Sequence, residues 1–345
     1  MRLERTFHSL LLLLAAAPLC AQQSAEPAEV VPDLVADSRL VMLDALVTDP
    51  KTGRKVADLT AEDFTLSEDA APQQIKNFSQ DRIPLSIVLL FDQTDSVRPV
   101  VRNLSKGALA ALAHLKPEDE VAVMGFSSTA HLEQGFTHNH QLAAQAIEAV
   151  ANQQTSAATF IDEDVYQAVN TAMQASMPGS RKVLLFLTDD TANYVNALTL
   201  KLSNLELDAS LHSRDESLRE LLERGVTVAA LIDRSKLDVA AHEDSSTKPV
   251  SLALGTTPRF NDVQHYAELT GGPVLNTDKK HVADKLADLI DEIRQRYTIS
   301  YVPTAHRPDG SFCRLTLALT PQAYEKHPEL RAENFEVRAR TGYYR

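Results

Sequence analysis

The sequence is poor in cysteine, with only Cys20 and Cys313 among its 345 residues. Cys20 falls in an N-terminal stretch that reads as a removable leader, so the mature chain keeps one cysteine and can form no internal disulfide. Such a protein depends on its core for stability. Cys313 sits in the alternating stretch SFCRLTLAL, the setting of a small buried hydrophobe rather than a nucleophile. Long apolar runs are also lacking: the run over residues 10–17 is too short for a membrane span. Basic residues are outnumbered, 34 Lys and Arg against 47 Asp and Glu, for a formal net charge of -13. Removing a leader with two arginines and one glutamate takes it to -14. That balance argues against nucleic acid and anionic membrane as partners and is compatible with cations. No internal repeat, nucleophile elbow or Ser-His-Asp order is present.

What is present begins with MRLERTFHSLLLLLAAAPLCA, residues 1–21. Arg2 and Arg5 before an apolar core, with Ala21 as a small residue for cleavage, predict a secretory signal peptide. Pro18 and Leu19 are poor residues ahead of a lipidated Cys20, so simple secretion is expected, to the periplasm, envelope or medium. Residues 22–38 are polar with prolines and read as a flexible leader.

Residues 39–82 read as a small β segment, with a strand over 41–48, a turn at Pro50 and Gly53, and strands around Phe64 and Ile75. From residue 83 to 296 the texture changes to buried apolar strands such as LSIVLLF and RKVLLFLT alternating with amphipathic helices. This predicts an α/β fold, a doubly wound and mostly parallel sheet with helices on both faces. One helix is expected over residues 97–115, and HLEQGFT is expected at an edge. Residues 297–345 return to alternating β segments. The two β ends are expected to pair as one module, because neither alone offers a two-layer core.

Three loops carry the chemistry. Asp92, Thr94 and Ser96 follow the first α/β strand, Thr159 stands at a helix entrance, and Asp189 ends another buried strand. Ligands in open α/β sheets bind at the carboxyl ends of strands. Two carboxylates with three hydroxyls suit a hard cation such as Mg²⁺, which takes few carboxylates and keeps waters; a cage of four acids would instead suggest Ca²⁺. Taken singly, each residue has an ordinary reading as a cap or turn. The HNH at His138–His140 reads as capping and solvated surface. The three acids opening DEDVYQAV suit a helix N-terminus without further function.

In order, spacing and element type, these residues resemble the metal-ion-dependent adhesion site of the von Willebrand factor type A family, over residues 85 to about 296. The flanks LVTDPKTGRKVADLTAEDFTLSED, YAELTGG, RQRYTISYVP, PDGSF and VRARTGYY are similar to the secreted members common in Acidobacteria. Asp92 matches the first acid of the motif, Thr94 and Ser96 its two hydroxyls, Thr159 its threonine and Asp189 its last acid. Thr94 stands where serine is usual, and Asp95 and Asp190 stand where glycine is common.

The resemblance implies a non-enzymatic binding module holding Mg²⁺, with Mn²⁺ or Ca²⁺ as alternatives, that captures an acidic side chain of a protein partner. Two other classes compete. One is an envelope scaffold with a vestigial site. The other is a metal-dependent hydrolase, against which FDQTD has Thr94 where an aspartyl phosphatase needs its general acid.

Overall fold

The computed structural model describes residues 40–49, 55–56, 58–80, 83–153, 159–190, 212–233, 263–332 and 335–345. The expected signal peptide, the leader and Cys20 lie outside them. Residues 38–345 form one compact unit.

Its centre is a six-stranded sheet. In chain order the strands are β5 Leu85–Asp92, β6 Glu120–Phe126, β7 His131–Thr137, β8 Arg181–Thr188, β9 Thr227–Asp233 and β10 Val274–Thr277. Their spatial order is β10-β9-β8-β5-β6-β7, with every pairing parallel except the antiparallel edge pair β6–β7. The apolar runs explain the burial. Ile87, Leu89 and Phe91 face one layer of helices while Val88 and Leu90 face the other, so β5 cannot alternate with polar residues.

The first layer holds α1 Val101–Ala111, α2 His140–Ala151 and α6 Val282–Arg294; the second holds α3 Ile161–Ala172, α4 Arg214–Glu223 and α5 Val263–Thr270. The chain leaves β5 for β6 on one side and later returns to β8 on the other. The crevice between the carboxyl ends of β5 and β8 is therefore a topological switch point, where such sheets place their ligands.

The helix expected over residues 97–115 is shorter. Residues 95–100 form turns, α1 begins at Val101, and residues 112–114 tighten into a 3₁₀ turn. Pro99 lacks the N–H that a helix interior needs, which fits a start after it.

The two β ends do pair. Strands β1 Val41–Thr48, β4 Ile75–Ser79, β11 Tyr297–Tyr301 and β13 Glu336–Ala339 form one antiparallel sheet in the order β13-β1-β11-β4. Strands β2 Phe64–Glu68, β3 Ala71–Gln73, β12 Phe312–Leu319 and β14 Gly342–Tyr344 form another in the order β14-β12-β2-β3. One apolar core joins them, with Leu43 and Ile299 from the first sheet and Leu66, Cys313 and Leu315 from the second. Phe64, Phe78 and Tyr297 cluster within it at centroid separations of 5.1 to 5.8 Å, with Phe78 stacked on Tyr297 and Phe64 edge-on to Tyr297. Two short helices at Pro321–Lys326 and Glu329–Ala332 were not expected from sequence. The local signal is there, since Thr320 caps the first of them and Pro321 opens it.

At the turn from α5 to β10, Gly271 has φ 69° and a Cβ there would lie 2.4 Å from the Ala339 carbonyl carbon. At Gly272 a Cβ would come 1.7 Å from the Val228 carbonyl oxygen. Backbone on both sides cannot yield cheaply. Gly272→Ala is expected to cost at least about 2 kcal/mol in urea unfolding; a loss within about 0.5 kcal/mol, the range of an inert surface change, would show that the corner is soft.

Candidate metal centre

Asp92 is the last residue of β5 and is 1% exposed. The chain beyond it is held to the sheet: Gln93 N donates to Phe126 O at 2.9 Å, and Gln93 Nε2 donates to Val150 O at 3.0 Å. Thr94 then folds back. Its backbone N and its Oγ1 both donate to Asp92 Oδ1, at 2.9 and 2.6 Å, an Asx-type turn. Thr94 Oγ1 lies 3.0 Å from Ser96 Oγ, and Ser96 Oγ donates to Asp189 Oδ1 at 3.1 Å. Asp92, Thr94, Ser96 and Asp189 thus place a row of oxygens across the crevice between β5 and β8, in which each hydroxyl gives its one proton to a carboxylate and the two hydroxyl oxygens lie side by side. With Thr94 donating to Asp92 and Ser96 to Asp189, both hydroxyl oxygens keep acceptor capacity for a cation.

Thr159, the fifth expected residue, lies two positions before α3. No hydrogen bond joins it to the other four. Its Oγ1 is shielded from solvent and has no hydrogen-bond partner among the described residues. A buried hydroxyl without a partner is costly, and the missing partner is one that a bound cation would provide.

Sequence reading missed Thr188. Its Oγ1 donates to Asp92 Oδ2 at 2.6 Å and accepts from Asp190 N at 2.9 Å. Asp190 itself has φ 54°, a left-handed conformation that glycine adopts at less cost. As the residue before Asp189 at a strand end, Thr188 was a findable candidate, but only its cross-strand neighbour reveals the role.

The electrostatics favour a positive occupant. Burial, reinforced by the charge of Asp189, pushes the Asp92 carboxyl from its ordinary 3.8 up to about 6, although the hydrogen bonds from Thr188 and Thr94 act the other way. A desolvated carboxylate of this kind is stabilised by a proton or a cation.

The acids opening α3 do more than favour a helix N-terminus. Asp162 Oδ1 accepts from Tyr266 Oη at 2.6 Å, and Glu163 accepts from Gln167 Nε2 at 2.7 Å and from His212 N at 2.8 Å. Asp164 is fully buried. Elsewhere the HNH stretch behaves as expected, with Asn139 capping α2.

A search of curated proteins finds no match to this chain. Among solved structures, a von Willebrand factor type A protein from Catenulispora acidiphila aligns with TM-score 0.43 at 10% identity, covering 89% of this chain and 75% of that one. The conserved hypothetical protein BatB from Bacteroides thetaiotaomicron aligns with TM-score 0.42 at 15% identity, covering 61% and 98%. The PilB minor pilin from Streptococcus sanguinis aligns with TM-score 0.39 at 14% identity, covering 63% of each chain. Residues 87–192, which supply all five of the expected site residues, match the von Willebrand factor type A domain model.

Proposed function

We propose that this chain is an exported, divalent-cation-dependent protein-binding module of the adhesion type. The observation that carries the reading is the row of oxygens of Asp92, Thr94, Ser96 and Asp189 at the switch point of the sheet, inside the segment that matches the type A domain model. Domains of that type are mostly non-enzymatic binding modules. Asp92, Thr94, Ser96, Thr159 and Asp189 would hold the ion. A divalent cation there supplies an electrophilic centre that a partner's carboxylate can complete. The protein's own part is to keep two carboxylates and three hydroxyls in place without the cost of ordering them at each encounter. Export rests on the leader sequence, and among the described residues no helix is long and apolar enough to cross a membrane.

The test has two arms. Calorimetric titration of Mg²⁺ and Mn²⁺ into wild type and Asp92→Ala should show binding to the first protein alone. Immobilised poly-glutamate should then retain the wild type in Mg²⁺ and release it in chelator. Wild type that binds no divalent cation at millimolar concentration would favour an envelope scaffold with a vestigial site, whereas chelator-sensitive turnover of a phosphoester would favour a hydrolase.

A further inference from the structure

Glu68 ends β2 on the inward side of its sheet, in line with Phe64 and Leu66, and is 2% exposed. An acid there breaks the apolar alternation, and buried carboxylates are normally paired or fully hydrogen-bonded. Only half of this one is. Its Oε2 accepts from Tyr301 Oη, and from Tyr343 Oη at 3.1 Å. Its Oε1 is shielded from solvent and has no hydrogen-bond partner among the described residues. Beside it lie Asp69, on the exposed turn between β2 and β3, and Cys313 of β12, which is 0% exposed. One ligand atom from each of the three, a carboxylate oxygen from each acid and the Cys313 Sγ, lies within 4.8 Å of the other two. Asp69 is held against β12, its Oδ1 accepting from Arg314 N at 3.1 Å and its Oδ2 pairing with Arg307 at 2.8 Å.

We propose that Glu68, Asp69 and Cys313 form a second metal site, built for a thiophilic cation of the Zn²⁺ class. The site is independent of the adhesion-type reading and shares no residue with the candidate centre. Donor chemistry decides the class: thiolate sulfur suits Zn²⁺, whereas Mg²⁺ and Ca²⁺ take oxygen. Zn–S bonds of about 2.3 Å and Zn–O bonds of about 2.0–2.2 Å span a distance comparable to the spacing of the three donors. Asp69, on its exposed turn, is placed to close the remainder. Charge balances as well, since two carboxylates and a thiolate are matched by one Zn²⁺ and Arg307. Tyr301 and Tyr343 orient Glu68 as outer partners orient metal ligands, and they leave Oε1 for the ion. Burial, and then the charges of Glu68 and Asp69, push the Cys313 thiol above its ordinary range, although a hydrogen bond with Tyr343 acts the other way. Binding therefore releases the thiol proton to solvent and leaves the thiolate on the metal. Three protein ligands keep a fourth position for water. The bound ion bridges strands from both ends of the chain, a cross-link that a single buried cysteine cannot supply as a disulfide.

Co²⁺ replaces Zn²⁺ in such sites, and a cobalt–thiolate bond gives a charge-transfer absorption in the near ultraviolet that oxygen ligands do not. CoCl₂ is titrated into the full chain carrying Cys20→Ser, so that Cys313 is its only thiol. The band should saturate at a single equivalent, and ZnCl₂ should abolish it. Ion binding at the candidate centre, which has no sulfur, stays silent, so failure here leaves the adhesion-type reading intact. Cys313→Ser should remove the band. Glu68→Gln and Asp69→Asn should each weaken Co²⁺ binding by at least about tenfold, the low end for losing even a supporting group at a metal site. Thermal unfolding in chelator monitors the fold, and Asp69→Asn, on the exposed turn, keeps the test decisive if a buried replacement unfolds the protein. Absence of the band at millimolar CoCl₂ would overturn the site. A band of unchanged affinity in Glu68→Gln and Asp69→Asn would mean an adventitious thiol contact and overturn it equally.

Discussion

Asp92→Asn is expected to raise the thermal midpoint of the metal-free protein at pH 7 and to remove any further rise on adding a divalent cation. The carboxyl is buried, with a pKa of about 6 in the folded protein against an ordinary value of 3.8. Between those values the folded state binds more protons than the unfolded chain. The contribution of this one group to stability is therefore highest below about pH 4, falls as the pH rises through about 6, and stays low above it. The shift of about two units corresponds to about 3 kcal/mol at neutral pH.

Asparagine removes the charge while its Oδ1 can still accept from Thr94 and its Nδ2 can donate to Thr188. The wild type has the opposite remedy, since a ligand present at a hundredfold its dissociation constant stabilises by about 2.7 kcal/mol. Thermal scans from pH 4 to 8, with cation and with chelator, separate the two effects. Parallel pH profiles for wild type and variant in chelator would mean that Asp92 is not the titrating group. Equal stabilisation of both by cation would remove Asp92 from the centre.

Asp44→Ala should cost about 3–5 kcal/mol, the range for breaking one side of a buried ion pair. Arg181 opens β8, and its side chain is 2% exposed. Its Nε and Nη2 donate to the two oxygens of Asp44 at 2.7 and 2.9 Å, and its Nη1 donates to Ile293 O at 2.6 Å. Asp44 belongs to β1, so the fork ties the terminal β strands to the six-stranded sheet. Alanine at position 44 leaves the Arg181 guanidinium, 2% exposed, without its carboxylate.

Burial raises the Asp44 carboxyl, but the charge and hydrogen bond of Arg181 outweigh it and hold the group below its ordinary value. The contribution of the pair is therefore present above pH 3.8 and is lost as the pH falls further. Replacing both residues, as Asp44→Leu with Arg181→Met, should recover much of the loss, because apolar groups of similar volume often substitute for a buried pair without penalty. Urea unfolding of the single and double variants decides it. A single variant within about 1 kcal/mol of wild type, the value of an exposed pair, would show that the fork contributes little.

The α/β layer was legible because burial on both faces leaves a local mark. Ile87 to Phe91 and Val183 to Leu187 are uninterrupted apolar runs, and no other element of a soluble domain needs them at that length. Asp92, Thr94 and Ser96 were legible for a related reason: three oxygen-bearing residues alternate in one loop at the end of such a run. Thr159 and Asp189 could be joined to them only through family resemblance. The hydrogen bond from Ser96 to Asp189 and the orphaned hydroxyl of Thr159 are long-range facts.

Asp164 lies in the first turn of its helix as its neighbours in sequence suggest, but its burial was not legible. In sequence it is one of three acids at a helix start, a common solvated pattern, and only packing of α3 on the sheet separates it from Asp162 and Glu163, which have partners. The same division holds for the chain ends. Period-two alternation marked the terminal segments as strands, whereas the register of Val41 against Tyr301 and of Phe64 against Leu319 depends on residues more than 200 positions apart. Local pattern determined which faces of this protein are apolar. Which faces meet, and which buried acid is left without a partner, was decided only by tertiary packing, because burial and charge pairing depend on everything that surrounds a residue.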